Sequence, residues 1–181
     1  CSGKTSLFYH ITRGEIPNTY KTTLYPIEHT RHKFSMGGTK TVVSVGADVS
    51  GNGHTYKQWE SIHTNCDVLL YLVRSDLVLS KDADSLEQLR SDSMQISSWQ
   101  KQNRKPLIIV GTYVDNVSGY SLNQPTNINK IRQRLSNTEP IREFSSQTGT
   151  NAIVIGSQRS IEERDQLMKA ILQCIRSLFG Q

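Results

Sequence analysis

The first residues of the chain carry a pattern that binds phosphate. Gly3, Lys4 and Thr5 form the Gly-Lys-[Ser/Thr] end of a P-loop, in which backbone N–H groups surround phosphate oxygens and the lysine reaches the β- and γ-phosphates. The residues expected to contact the phosphates are Ser2, Gly3, Lys4, Thr5 and Ser6. The first glycine of the full pattern would precede Cys1, so we expect the natural polypeptide to begin further upstream.

A second group of candidate residues begins at the end of a predicted strand. Asp48-Val49-Ser50-Gly51 is a D-x-x-G sequence that follows the apolar segment ending at Ala47. A carboxylate there can hold Mg²⁺, and the glycine N–H can meet a γ-phosphate that is present in one nucleotide state only. The position of this tetrapeptide therefore predicts a nucleotide-sensing segment.

Two further segments have the chemistry to recognise a purine base. Asp115 follows the apolar run Leu107–Val110, and its carboxylate can accept hydrogen bonds from the N1–H and 2-amino groups of guanine. Adenine presents no such pair of donors. Ser145–Gly149 follows the predicted strand Ile141–Ser145, and a backbone N–H in that loop can meet the guanine O6.

Apolar periodicity predicts the elements that position these residues. The predicted strands are His32–Met36 and Thr41–Ala47, which form a hairpin, and Val68–Val73, Leu107–Val110 and Ile141–Ser145. The predicted helices are Thr5–Thr12, Asp84–Gln102, Ile128–Leu135 and Ile161–Leu178; the core residues expected on the second are Leu86, Leu89, Met94, Ile96 and Trp99. Strands that alternate with helices predict a single domain, 1–181, with an α/β fold: a three-layer sandwich around a mainly parallel sheet.

The order of these segments resembles the Ras-like superfamily of small GTPases over nearly the whole chain. Lys4 to Ile16 is similar to the first helix and turn of Arf-type proteins, and Pro106 to Asp115 to the guanine-specificity segment of Rho proteins and Roc domains. Ser145 to Asn151 resembles the corresponding loop of Rab proteins. The resemblance implies a Ras-like P-loop G domain, here lacking its first strand, that binds GTP and GDP with Mg²⁺.

The resemblance also implies a role for each matching residue. Lys4 would contact the β- and γ-phosphates, and Gly51 would anchor the switch II segment. The implied metal ligands are Thr5, Thr22 and Asp48, with Thr23 as the alternative to Thr22. The implied guanine contacts are Thr112, Tyr113 and Asp115, with Ser146 and Gln147 closing the pocket through their backbone.

The residues after Gly51 depart from the family where catalysis is concerned. Asn52 stands where many relatives carry the glutamine that orients the attacking water, and asparagine is one methylene shorter. His54 could take over that task, although it lies out of register. We therefore expect slow GTP hydrolysis that needs an activating partner.

Two alternatives of other classes stay open at this point. Asn52 and Tyr113, which replaces a lysine, are also compatible with a pseudo-GTPase that acts as an interaction or scaffold domain of a larger protein. A P-loop kinase or ATPase would have no use for Asp115. Bound nucleotide and its turnover distinguish the first alternative, and competition between ATP and GTP distinguishes the second.

Composition limits the partners and the compartment. The chain has 21 Lys and Arg against 16 Asp and Glu, a net charge of +5, but the basic residues are scattered, so no nucleic-acid partner is predicted. The partners expected are effectors, an exchange factor and an activating protein. Cys1, Cys66 and Cys174 lack the spacing of a zinc site or a disulfide framework, which favours a cytoplasmic setting. Peripheral membrane association is left open.

Overall fold

The chain divides into two compact units. The computed structural model describes residues 3–13, 27–36, 39–48 and 56–180. The first unit holds Gly3–Cys66 and the second holds Asp67–Gln181. The expected single domain stays a prediction.

The first unit contains a helix that packs against a β-hairpin. Helix α1 spans Lys4–Arg13, strand β1 spans Ile27–Met36, strand β2 spans Thr39–Asp48 and helix α2 spans Tyr56–Asn65. Strands β1 and β2 pair antiparallel, and α1 contacts both of them. The predicted first helix and hairpin are confirmed, although β1 begins at Ile27 rather than at His32.

The second unit is built on a parallel sheet of three strands in the order β3-β4-β5. The strands are β3 (Leu69–Arg74), β4 (Leu107–Thr112) and β5 (Ile153–Ile155). The helices are α3 (Ser75–Ser80), α4 (Ala83–Gln102), α5 (Pro125–Ser136), α6 (Glu139–Thr148) and α7 (Ile161–Leu178). The predictions for β3, β4, α4, α5 and α7 are therefore confirmed to within a few residues.

Strand β4 forms the centre of this unit. All six of its residues are buried, which requires helices on both faces of the sheet, as in other parallel α/β sheets. Helix α7 packs against β4 and β5, and α5 packs against β5. On β3, Tyr71 donates a 2.8 Å hydrogen bond to Asp92 of α4, and its ring meets Phe144 of α6 edge-on with 5.3 Å between ring centres. The predicted α/β fold class with a parallel sheet is confirmed.

Two predictions about this unit are wrong. Ile141–Ser145 is not a strand but part of α6, whose buried residues Ile141, Phe144 and Thr148 recur at the three- and four-residue spacing of a helix. Met94 does not belong to the core, since 68% of it is exposed on the outer side of α4, whereas Leu89, Ile96 and Trp99 are buried.

The length and apolar character of the described helices show whether any of them could span a membrane. None of those in the part of the chain that the structure covers is both long and apolar enough to cross a bilayer. This finding does not test whether the protein associates peripherally with a membrane.

Candidate functional site

The predicted phosphate-binding residues lie at the start of α1. Gly3 has φ of 78°, a left-handed conformation that glycine adopts without cost, and the helix begins at the next residue, Lys4. The N–H of Leu7 donates to the Gly3 carbonyl over 3.0 Å, which closes the first turn. Backbone N–H groups in a first turn lack partners within the helix, and the helix dipole adds positive potential there. This geometry suits phosphate, as the sequence predicts.

The predicted magnesium ligands of the first unit have suitable chemistry. Thr5 is the second residue of α1 and Asp48 ends β2, the strand against which that helix packs. A hydroxyl and a carboxylate are the hard oxygen ligands that Mg²⁺ prefers, so these residue types fit the ion. Over the described residues, no group of three or more His, Cys, Asp or Glu side chains is arranged to hold a metal ion.

Several predicted site residues lie outside the described residues. These are Ser2, Thr22, Thr23, Gly51, Asn52 and His54. Their proposed roles in phosphate, metal and water binding stay predictions from the sequence.

In the second unit, candidate residues gather where the parallel strands end. β3 ends at Arg74 and runs directly into α3, whereas loops follow β4 at Thr112 and β5 at Ile155, and all three strands end at the same edge of the sheet. Ligands of open α/β sheets bind outside the carboxyl ends of the strands. This edge, which we call the carboxyl edge, is therefore where a ligand of the second unit is expected.

Thr112 ties the carboxyl ends of two strands together. Its side chain is fully buried, and its hydroxyl donates a 3.0 Å hydrogen bond to the carbonyl of Val73 on β3. The bond fixes the point at which the loop after β4 departs. Thr112 thus supports the position of Asp115, three residues further along the chain.

Tyr113 is held in an unusual conformation beneath an arginine. Its φ is 53°, a left-handed value that costs a residue with a side chain about 1–2 kcal/mol. The guanidinium carbon of Arg74 lies 4.4 Å from the centre of the Tyr113 ring, a cation–π contact. The end of β3 therefore braces Tyr113.

Arg74 is itself fixed by an acidic partner. Its Nε donates to Asp76 Oδ1 over 3.1 Å, and Asn116 Nδ2 donates to Asp76 Oδ2 over 3.1 Å. The hydrogen bond to Asp76 raises the pKa of Arg74, against the opposing effect of burial. Burial acts to raise the pKa of Asp76, but the bonds from Arg74 and Asn116 outweigh it and bring the pKa below its usual value. The cluster is an ionised network that joins β3 to the loop after β4.

Asp115 has surroundings different from those of Asp76. It lies in a short 3-10 turn, Val114–Asn116, directly after β4, and is half-buried. Among the described residues its carboxylate makes no hydrogen bond or ion pair, in contrast to that of Asp76. A half-buried carboxylate at this edge is available to accept hydrogen bonds from a ligand.

The predicted partners of Asp115, Ser146 and Gln147, lie elsewhere. Both are exposed residues in the last turn of α6, and Gln147 accepts a 3.1 Å hydrogen bond from Ser97 of α4. The chain leaves α6 through Thr150, whose hydroxyl bonds the carbonyl of Leu107, the first residue of β4. Ser146 and Gln147 thus approach the amino end of β4, whereas Asp115 follows its carboxyl end. The expectation that Ser146 and Gln147 lie in a loop after a strand is wrong, because both belong to helix α6.

The loop that does follow a strand at the carboxyl edge is Gly156–Ser160, after β5. Gly156 donates a 2.9 Å hydrogen bond to the carbonyl of Gly111 on β4. A Cβ at Gly156 would lie 2.9 Å from Leu167, so only glycine fits between the strand and α7. Sequence reasoning missed this loop because β5 is only three residues long. The available signal was the apolar run Ile153–Ile155 followed by Gly-Ser.

A buried carboxylate, Glu163 of α7, holds this loop in place. It accepts hydrogen bonds from the Ser157 hydroxyl at 2.9 Å, the Ser160 N–H at 3.1 Å and Arg159 Nη2 at 3.2 Å. The Ser160 hydroxyl accepts from the Glu163 N–H in return, which completes a capping box at the start of α7. Tyr120 donates to the same carboxylate over 3.3 Å.

A second side chain of α7 also braces the loop. Arg164 is buried, and its Nε donates a 2.6 Å hydrogen bond to the Gln158 carbonyl, while its Nη2 reaches the Arg159 carbonyl at 3.3 Å. The N–H groups of Ser157 and Gln158 make no hydrogen bond with any described residue. The carboxyl edge therefore offers a carboxylate acceptor on one loop and backbone N–H donors on the next.

Comparison with known proteins gives distant relatives of one kind. The chain is 27% identical to ADP-ribosylation factor-like protein 4A from Homo sapiens over 125 residues, and equally to the proteins of that name from Mus musculus and Bos taurus. The match covers 68% of this chain and 58% of those relatives, so it spans little more than half their length. No family model matches the chain. This likeness supports a place for the chain in the small GTPase superfamily, and supports no finer assignment.

Proposed function

We propose that this chain is a molecular switch that binds GTP and GDP and hydrolyses GTP slowly. The observation that carries the proposal is the half-buried carboxylate of Asp115 at the carboxyl edge, which makes no hydrogen bond or ion pair with any described residue. Guanine carries two adjacent donors, N1–H and the 2-amino group, which one carboxylate can accept together. Adenine has an acceptor at N1 in place of a donor, and would leave the carboxylate without that bond.

The neighbouring loop would complete the recognition of guanine. The N–H groups of Ser157 and Gln158 suit the O6 acceptor, so we transfer to them the role that the sequence suggested for Ser146 and Gln147. Tyr113, fixed beneath Arg74, offers an aromatic face beside Asp115 in place of the lysine stem of related proteins. Adenine would bring its 6-amino donor against these N–H donors, which disfavours it a second time.

The triphosphate would be bound by residues of the first unit. Gly3, Lys4 and Thr5 would hold the phosphates, with Thr5 and Asp48 as ligands of Mg²⁺. The ion would neutralise charge on the β- and γ-phosphates. Asn52 is the basis for slow hydrolysis, because its shorter side chain is poorly suited to orient a water that glutamine orients in related enzymes. Regulators and effectors that recognise one nucleotide state would follow from such a switch, in the cytoplasm or on a membrane surface.

A second candidate is a module that binds guanine nucleotide without turning it over. Asn52 and the braced Tyr113 favour it, since each differs from the residue that serves catalysis or covers the base in the GTPases that the sequence resembles. The two candidates share the guanine site and differ in chemistry. Single-turnover hydrolysis of bound GTP distinguishes them.

The direct test of the guanine site is a change of base preference. Asp115→Asn removes an acceptor of two donors, each worth about 1.5–3 kcal/mol when the acceptor is charged, so GDP affinity should fall roughly a hundredfold or more. The asparagine amide can instead donate to the C2 carbonyl of xanthine, so affinity for xanthosine diphosphate should rise. Isothermal titration calorimetry measures both.

The control is Asp67→Asn, which removes one exposed carboxylate just before the amino end of β3. It should leave the affinity for GDP and xanthosine diphosphate unchanged. Equal binding of GDP and ADP to the unaltered chain, or an unchanged preference in Asp115→Asn, would refute the proposal.

A further inference from the structure

A groove runs along the outer edge of β5, away from the residues assigned above to nucleotide binding. It encloses about 940 Å³ between α5 and α7. Its walls include Asn129 and Arg132 of α5 and Gln173 and Ser177 of α7, and its floor is β5 itself. One end is formed by Arg104–Leu107, where β4 begins, whereas the loops of Asp115 and Ser157 follow the other end of the strands.

The floor of this groove is an open sheet edge. The Ala152 carbonyl accepts from Ile109, and the Gly156 N–H donates to Gly111, so the even-numbered residues of this segment face β4. Polar groups alternate along a parallel strand, and those of Ile153 and Ile155 therefore point away from β4. Within the described part of the chain no hydrogen bond is made on that side. Such an edge is a template for another strand.

The groove has a charge of one sign. Its charged lining residues are Arg104, Lys105 and Arg132, and no aspartate or glutamate lines it. None of the three is in an ion pair with a described residue. Gly149 contributes to this arrangement, because any Cβ there would collide with Nη2 of Arg104. The absence of a side chain at Gly149 lets the Arg104 guanidinium lie at the rim.

We propose that this groove binds an extended acidic peptide segment of a protein partner, which adds as a strand to the free edge of β5. The backbone groups of Ile153 and Ile155 supply the hydrogen bonds of strand addition, and the three basic side chains select carboxylates. A phosphate backbone would satisfy the charges but has no alternating N–H and C=O groups to pair with the edge. The proposal is independent of nucleotide binding.

The test uses the complete chain and a fluorescein-labelled peptide of alternating valine and glutamate. Fluorescence anisotropy should show binding that weakens about tenfold in Arg104→Glu/Arg132→Glu, in line with reversing two rim charges, each worth up to about 1 kcal/mol in direct contact. The control, Arg90→Glu/Arg142→Glu, makes the same change of net charge on exposed residues outside the groove and should bind as the unaltered chain does.

Amide hydrogen exchange separates strand addition from charge attraction alone. The bound peptide should slow exchange at Ile153 and Ile155 selectively, and a peptide with N-methylated valines should lose both binding and protection. Equal binding of a valine–lysine peptide would overturn the proposal, as would unprotected Ile153 and Ile155. Binding of a polyuridine probe as tight as that of the acidic peptide would equally overturn it.

Discussion

The sharpest structural prediction concerns Glu163, the carboxylate that organises the loop after β5. In Glu163→Ala, the buried Ser157 hydroxyl and the Ser160 N–H lose their acceptor, and leaving a buried donor unsatisfied costs about 1–3 kcal/mol. Tyr120 and Arg159 also lose their bonds, but Arg159 is largely exposed and can turn to water. We therefore expect the free energy of unfolding to fall by about 2–5 kcal/mol.

A matched neighbour isolates the buried hydrogen bonds from the general effect of charge. Glu162 lies in the same first turn of α7 and is exposed, so Glu162→Ala removes only the interaction with the helix dipole, about 0.3–1 kcal/mol. Glu163→Gln should fall between the two alanine variants, because its amide oxygen can keep the bonds from Ser157 and Ser160.

Urea denaturation followed by circular dichroism measures the three free energies. Hydrogen exchange should also show faster exchange across Gly156–Ser160 in Glu163→Ala, and GDP affinity should fall with it if this loop contacts guanine. Losses of stability that are equal in Glu163→Ala and Glu162→Ala would refute the reasoning that this carboxylate holds the loop.

Three further predictions concern single side chains around the sheet. Arg74→Gln removes the cation above Tyr113, worth about 0.5–2 kcal/mol, together with the bond to Asp76. It should lower the free energy of unfolding by at least about 0.5 kcal/mol and weaken GDP binding by up to about thirtyfold by calorimetry. Burial raises the pKa of Tyr120 to about 12, above the ordinary value of 10.0. The neutral form of Tyr120 therefore stabilises the fold fully below pH 10, and this stabilisation is lost as the pH rises from 10 to about 12. Absorbance at the tyrosinate band should show a late-titrating component that Tyr120→Phe removes. Gly111→Ala would place a Cβ 2.5 Å from the Ser75 hydroxyl, and should cost about 1–3 kcal/mol in urea denaturation.

Each of these has an outcome that would contradict it. Arg90→Gln, on the exposed side of α4, should bind GDP normally, and an equal loss there would point to net charge rather than stacking. A tyrosine titration without a late step would contradict the burial of Tyr120. An unchanged free energy of unfolding in Gly111→Ala would contradict the steric cause, because the new Cβ has to displace the Ser75 hydroxyl.

The strongly patterned parts of this protein could be predicted from the amino-acid pattern alone. The continuous apolar runs Val68–Val73 and Leu107–Val110 have the composition of buried parallel strands, and Ile161–Leu178 has the periodicity of a helix with one buried face. Asp115 could be located from the chain alone because it directly follows such a run, and the end of a strand is set by the same apolar pattern.

The remaining parts of the candidate site depend on contacts between segments that are distant in the chain. Ile141–Ser145 and Ile153–Ile155 are both short apolar segments, and periodicity cannot distinguish helix from strand over so few residues. The first became helical because Phe144 packs edge-on against Tyr71, and the second became a strand because it pairs with β4. Those long-range contacts place Ser157 rather than Ser146 at the edge of the sheet where Asp115 lies. The pairing of β3 with β4 puts Arg74 opposite Thr112 and so brings it over Tyr113, 39 positions away in the chain, a proximity that no local pattern encodes.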